Sequence, residues 1–402
     1  MTLEIGETDV FIVSAGRTAL GSFQGSLSRL SAVELGIHVV KNVVEKSCIK
    51  AEEVEEVVIG NVISANLGQN PARQCALGAG LSEKTVCTTV NKVCASGMKA
   101  VILGAQSILV KTADIVVSGG IESMSNVPFY NSSVRSGSRY GHITLTDGLI
   151  RDGLSDAYSD EPMGIAAECC ALEYEISRKE QDDYAISSYK RAQKAHELNL
   201  FKEIIPIKVS LGSKEPSKII DKDEEISNLN EEKLRIIKPA FKANGTVTAG
   251  NASTISDGAA ALVLVSGKKL KELGLKPIAK ILGWGEASQL PKKFTTSPYL
   301  AISKALKSAR LSTSDVDYYE INEAFSVVAL TNSKILKLDL NRVNVFGGSV
   351  AMGHPLGCSG ARIITTLLSV LQHHKAKIGV AAICNGGGGA SSIVIELLNP
   401  FY

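Results

Sequence analysis

Apolar residues recur along this chain in two alternating rhythms. Short runs rich in Val and Ile fall at 10–13, 54–59, 115–118, 318–321, 343–346, 380–383 and 393–397, and their length and β-branching predict strands. Between them, apolar residues spaced three or four apart predict helices over 32–45, 96–110, 177–199, 298–308 and 360–372. Ser177, with Glu180 three positions on, has the form of a capping box. Alternation of this kind predicts an α/β protein whose sheets are buried between helical layers.

The pattern also repeats. Residues 54–61 resemble 316–322, and 115–120 are answered by 380–383. Cys94-Ala95-Ser96-Gly97 and Gly357-Cys358-Ser359-Gly360 each open an apolar helix. The shared order predicts a duplicated half. Between the halves, 124 to about 172 has little periodicity and is too long for a simple connection, which predicts a functional loop region. The charged stretch 217–233 predicts a solvated surface segment.

Composition narrows the function classes. The 402 residues are 45% hydrophobic and 21% charged, enough apolar material for a large core. A net charge of +2, with only 5% aromatics, leaves no basic, aromatic-studded face for nucleic acid. Eight cysteines without a C-x-x-C pair argue against a disulfide framework and a zinc site, and for a reducing compartment. The acidic start Met1-Thr2-Leu3-Glu4 lacks the marks of a transit or signal peptide. The end Asn399-Pro400-Phe401-Tyr402 lacks a peroxisomal signal. No apolar run is long enough to span a membrane. These features predict a cytoplasmic protein, with a mitochondrial location as the alternative if the chain is a mature form.

Candidate chemistry sits in three glycine-rich islands. In the first, Cys94 precedes small residues where an apolar helix begins, a place where free N–H groups favour thiolate. In the second, His354 lies between Gly353 and Pro355, in a turn with room for a ligand; it is the one histidine of six in such a setting. In the third, Cys384 ends an apolar strand and leads into Gly386-Gly387-Gly388-Gly389. Asn322, in Asn322-Glu323-Ala324-Phe325, follows another strand. A nucleophile, a base, a second thiol and backbone donors are the parts of acyl transfer.

Taken jointly, these islands resemble the thiolase family, and within it the acetoacetyl-CoA thiolases. The resemblance runs almost end to end. It includes Ser14-Ala15-Gly16-Arg17-Thr18, Gly119-Gly120-Ile121-Glu122-Ser123-Met124 and Gly245-Thr246-Val247-Thr248-Ala249-Gly250-Asn251. It implies a thiolase fold: two duplicated layered α/β halves (α-β-α-β-α) with an inserted loop domain. The implied bounds are 1–123 with 245–273, 124–244 for the loop domain and connecting helices, and 274–402. The resemblance implies that Cys94 is acylated, His354 activates it, and Cys384 moves the α-proton of a second acetyl-CoA. Asn322 would hold a water that, with His354, forms one oxyanion hole; the N–H groups of Cys94 and Gly386 would form another. Leu154, Met163, Phe241, Ala249, Ser253, Ala324 and Phe325 match positions lining the coenzyme A and acyl site.

The implied reaction is reversible condensation of two acetyl-CoA to acetoacetyl-CoA and CoA, with the thioesters as substrates and no separate cofactor. Potassium activates some mitochondrial relatives, but no feature here supports it. The implied assembly is a homotetramer, a dimer of dimers, with neither nucleic acid nor membrane as partner. One departure stands out: short-chain members usually carry His before the active-site Met, and this chain has Pro162. That residue and Gly357-Cys358-Ser359 lean toward the alternative, a β-oxidation 3-ketoacyl-CoA thiolase of broader chain length. An inactive acyl-CoA-binding protein is a remote third reading, and the intact set Cys94, Asn322, His354 and Cys384 stands against it.

Overall fold

The structure, a computed structural model, describes residues 5–210 and 217–399. The first four residues and Pro400-Phe401-Tyr402, weighed above for targeting signals, lie outside the described residues. A ten-stranded mixed sheet runs through the molecule. Its first part holds β1 (Val10–Arg17), β2 (Glu56–Gly60), β3 (Val86–Val90), β4 (Ile115–Ser123) and β5 (Ser256–Ser266). Its second part holds β6 (Ala279–Ser288), β7 (Tyr318–Ile321), β8 (Ile378–Asn385) and β9 (Gly389–Leu397). The spatial order is β7-β8-β9-β6-β1-β5-β4-β2-β3, and the tenth strand, Gly21–Ser22, pairs with the start of β5.

Both parts are wired alike. Each has a parallel pair, β2 with β4 and β7 with β8, followed by two antiparallel neighbours, β5 then β1 and β9 then β6. The parts meet where Phe11 and Ile12 pair with Lys280 and Ala279. Among the described residues, eight helices of eight or more residues surround the strands: α1 (Ala32–Ser47), α2 (Pro71–Gly78), α3 (Ser96–Leu109), α4 (Met163–Glu173), α5 (Arg178–Glu197), α6 (Ser297–Ala309), α7 (Ser326–Leu336) and α8 (Leu356–His374). Helices α3 and α8 form the middle layer, packed between the two sheet regions in one apolar cluster. Helices α1 and α2 cover the first part from outside, and α6 covers the second. The expected α-β-α-β-α layering is therefore present.

The two central helices touch at their first turns. A Cβ on Gly97 would lie 2.7 Å from the Gly357 carbonyl, and one on Gly360 would lie 2.3 Å from the Met98 nitrogen. Only glycine permits this approach. It brings together the two helix starts that carry Cys94 and His354.

The expected helices are present with shifted ends; the last begins at Leu356, four positions earlier than its periodicity indicated, because Pro355 caps it. The capping box holds, with Ser177 N donating to Glu180 Oε2 at 2.7 Å and Glu180 N to Ser177 Oγ at 3.2 Å. Other expectations are corrected. Residues 343–346 form no strand; Val343 makes an isolated bridge to Tyr319 and the rest is a turn. The irregular region ends in α4, whose apolar residues surround the helix axis and so give no periodic signal. Strands β3, β5 and β6 were not legible: β3 is a half-polar Val-Cys-Thr-Thr-Val, β5 opens on small residues, and Gly283 and Gly285 interrupt β6. The stretch 217–233 is not simply solvated, because Asp223 is 2% exposed and pairs with the fully buried Arg17 at 2.6 Å.

Candidate active site

The nucleophile candidate lies in a strained turn between β3 and α3. Val93, directly before Cys94, has φ +49°, costly for a β-branched residue. The turn is locked by Ser96, whose Oγ accepts from Lys92 N at 2.7 Å and donates to the Val93 carbonyl at 2.6 Å. Cys94 is half-buried and faces a cavity of about 880 Å3. Burial pushes its thiol up to about 11, while the N–H groups of Gly386 and of Cys94 itself pull the other way. Beside an apolar cavity, desolvation thus works against the N–H groups that favour thiolate.

His354 lines the same cavity. Gly353 before it has φ +111°, and a Cβ there would sit 2.1 Å from Ser256 Oγ. The backbone N–H of His354 donates to the Thr254 carbonyl at 3.0 Å. Its Nδ1 is 2.6 Å from Ser359 Oγ. Its Nε2 is 3.5 Å from Asn322 Nδ2. Burial, helped by the charge of Arg362, lowers the imidazole to about 3, so the ring is neutral.

Gly386 also lines the cavity, at the hairpin between β8 and β9, where Gly387 and Gly388 take φ +82° and +88°. Cys384, paired with Ala390, is fully buried, and burial followed by the neighbouring Cys94 holds its thiol well above the usual range. Leu154, Met163, Phe241, Ala249, Ser253, Ala324 and Phe325 all line the cavity. Asn322 and Cys384 do not; they lie buried outside its lining. Pro162 is absent from this wall too. It lines a second cavity of about 250 Å3, and Met163, Asp156 and Tyr158 border both. Pro162 is the N-cap of α4 and borders only the smaller cavity, so this departure from the short-chain pattern does not face Cys94.

Sequence reasoning assigned no role to Ser359, Ser349, Arg362 or Glu122. The Glu122 carboxylate accepts from Asn61 Nδ2 at 2.9 Å and from the N–H groups of Val62, Ile63 and Gly357 at 3.0, 3.2 and 2.8 Å. Burial still pushes it up to about 7. It ties the end of β4 to the start of α8. Position was the available signal: Ser349 and Ser359 fall in the His354 island, and Glu122 in a motif quoted for the resemblance.

Comparison with known proteins shows the family. Residues 10–268 match the thiolase N-terminal domain and 275–397 the thiolase C-terminal domain. The chain belongs to the thiolase family. It is 64% identical to the acetyl-CoA acetyltransferase of Schizosaccharomyces pombe, over 97% of this chain and 99% of that protein. It is 59% identical to the cytosolic acetyl-CoA acetyltransferase ERG10 of Gibberella zeae, over 97% and 98%. A crystal structure of the Acat5 thiolase of Ascaris suum in complex with coenzyme A superposes with a TM-score of 0.92 at 48% identity, covering 97% of this chain and all of that one.

Proposed function

We propose that this chain is an acetyl-CoA C-acetyltransferase working by a ping-pong mechanism through acetyl-Cys94. The observation that carries this reading is the convergence of Cys94, His354 and the Gly386 N–H on one largely apolar cavity, with Asn322 and Cys384 buried near it. In the first half, Cys94 attacks the acetyl carbonyl, the carbon–sulfur bond to CoA breaks, and His354 Nε2 carries the thiol proton to the leaving sulfur. The N–H groups of Cys94 and Gly386 meet the Cys94 sulfur, where they suit the acyl oxygen.

In the second half, Cys384, acting from its thiolate form, takes the α-proton of another acetyl-CoA, and the enolate oxygen is held by a water on Asn322. The enolate carbon attacks acetyl-Cys94 and the sulfur is released. The proton lost by the substrate ends on that sulfur, so no cofactor is consumed. The relatives above bear the acetyl-CoA acetyltransferase name, which favours this reading over a β-oxidation thiolase. The cavity lining and the coenzyme A complex of the Ascaris suum relative support CoA binding. The apolar side chains Phe129, Ile143 and Leu145, exposed on the loop region, support assembly into a tetramer. The cytosolic relative supports a cytoplasmic site of action, and no described helix is long and apolar enough to cross a membrane.

The test is mass mapping after incubation with acetyl-CoA. One acetyl group on Cys94 is expected. Label on Cys384 instead, or none, overturns the assignment.

A further inference from the structure

A buried cation lies behind Asn322 that the reaction above does not use. Arg362, in the second turn of α8, is fully buried. Its Nη2 donates to Ser349 Oγ at 2.7 Å, and Ser349 Oγ donates to Asn322 Oδ1 at 2.7 Å. Asn322 Nδ2 then faces His354 Nε2 at 3.5 Å. On the other side, Arg362 Nη1 reaches Glu320 Oε2 only at 4.0 Å, so the bond to Ser349 is the shorter of the two contacts.

The order of donors along this chain is forced. A guanidinium can only donate, so Ser349 must accept from it, and its single proton is left for Asn322. An acceptor is thereby required at the Asn322 atom facing Ser349. The amide oxygen takes that place and the NH2 turns toward His354. The two ends of an amide have nearly the same shape, so packing alone would not choose between them. A charged donor at the head of a hydrogen-bond chain also polarises each bond after it.

We infer that Arg362, acting through Ser349, is a positioning residue that holds the Asn322 NH2 toward the reacting centre and strengthens it as a donor. This inference rests on the reading that places Asn322, through a water, beside the enolate oxygen. Without the relay, Asn322 can turn its oxygen toward a developing negative charge.

The test is a double-mutant cycle on acetoacetyl-CoA thiolysis and on α-proton exchange of acetyl-CoA, using Ser349→Ala, Arg362→Lys and Asn322→Ala. Ser349→Ala is the main variant because it removes one oxygen and leaves the buried ion pair intact. Both relay variants are expected to lower kcat and α-proton exchange about 10- to 100-fold, below the full loss of an oxyanion donor, with KM little changed. In the Asn322→Ala background, Ser349→Ala is expected to cost nothing further, because the group it orients is gone. A purely structural role would instead multiply the two losses and lower the melting temperature in proportion, and that result overturns the inference. A wild-type rate for Ser349→Ala overturns it as well. A wild-type rate for Asn322→Ala removes the underlying reading of Asn322, and the relay falls with it.

Discussion

Ser359 Oγ stands 2.6 Å from Nδ1 of His354 and gives its own proton to the Pro355 carbonyl at 2.9 Å. Ser359 can therefore only accept from the ring. Nδ1 carries the imidazole proton, and Nε2 is left as the lone-pair atom beside Asn322. One hydroxyl thus sets the tautomer that a general base at Nε2 requires.

Replacing that hydroxyl should cost activity without unfolding the chain. Ser359→Ala frees the ring to take the other tautomer. A hydrogen bond of this kind contributes about 1–3 kcal/mol, so kcat for thiolysis should fall about 10- to 100-fold. Acetylation of Cys94, followed by mass spectrometry in a quench series, should slow as well. Unchanged rates in both assays would show that Ser359 does not set the tautomer.

The two thiols should separate by half-reaction. Cys384→Ser should still be acetylated at Cys94, since Cys94, His354 and Gly386 remain around the cavity. It should lose α-proton exchange into acetyl-CoA, read by deuterium incorporation. Cys94→Ser should fail at acetylation. Equal loss of acetylation in both variants would refute this division of labour.

Chain length should depend on Met163 more than on Pro162. Met163 borders both the 880 Å3 and the 250 Å3 cavities, whereas Pro162 borders only the smaller. Met163→Ala should join them and raise kcat/KM for 3-ketohexanoyl-CoA relative to acetoacetyl-CoA about tenfold, the scale of one or two methylene contacts. Pro162→His should leave that ratio nearly unchanged. A larger shift from Pro162→His than from Met163→Ala would contradict the geometry.

Acid should attack the Arg17 network. Burial pushes the Asp223 carboxyl up, but the Arg17 charge and the His196 hydrogen bond more than offset it and hold it well below the usual carboxylate range. A depressed carboxyl contributes stability that is complete above its unfolded value, about 3.9, and fades as pH falls below that. Asp223→Asn leaves Arg17 with one carboxylate, Glu203 at 3.1 Å, and should cost about 3–5 kcal/mol at pH 7 in urea unfolding. The difference from wild type should shrink as pH drops below about 4. A gap of equal size at pH 7 and pH 3 would show that the charge of Asp223 contributes nothing.

What was legible in the sequence follows from short-range physics. Strands such as β2 and β4, and helices such as α3 and α8, carry their own periodicity, so their existence needs no partner. Cys94, His354 and Gly386 were visible because close approach to a ligand demands small neighbours and turns, and those leave a local composition. β5 was invisible for the converse reason: its Ala-rich start is stable as a strand only between β1 and β4.

The sequence by itself determined the layered class, the duplicated strand–helix order and the set of reactive side chains. Only the tertiary structure decided how those side chains behave. It set Cys94 against an apolar cavity that pushes its thiol up, placed Pro162 beyond Met163 and drew Asp223 into the core against Arg17. It also brought Ser359 to one face of His354 and the Arg362–Ser349 relay to the back of Asn322. Desolvation and hydrogen-bond direction depend on atoms far apart along the chain, so no local pattern can encode them.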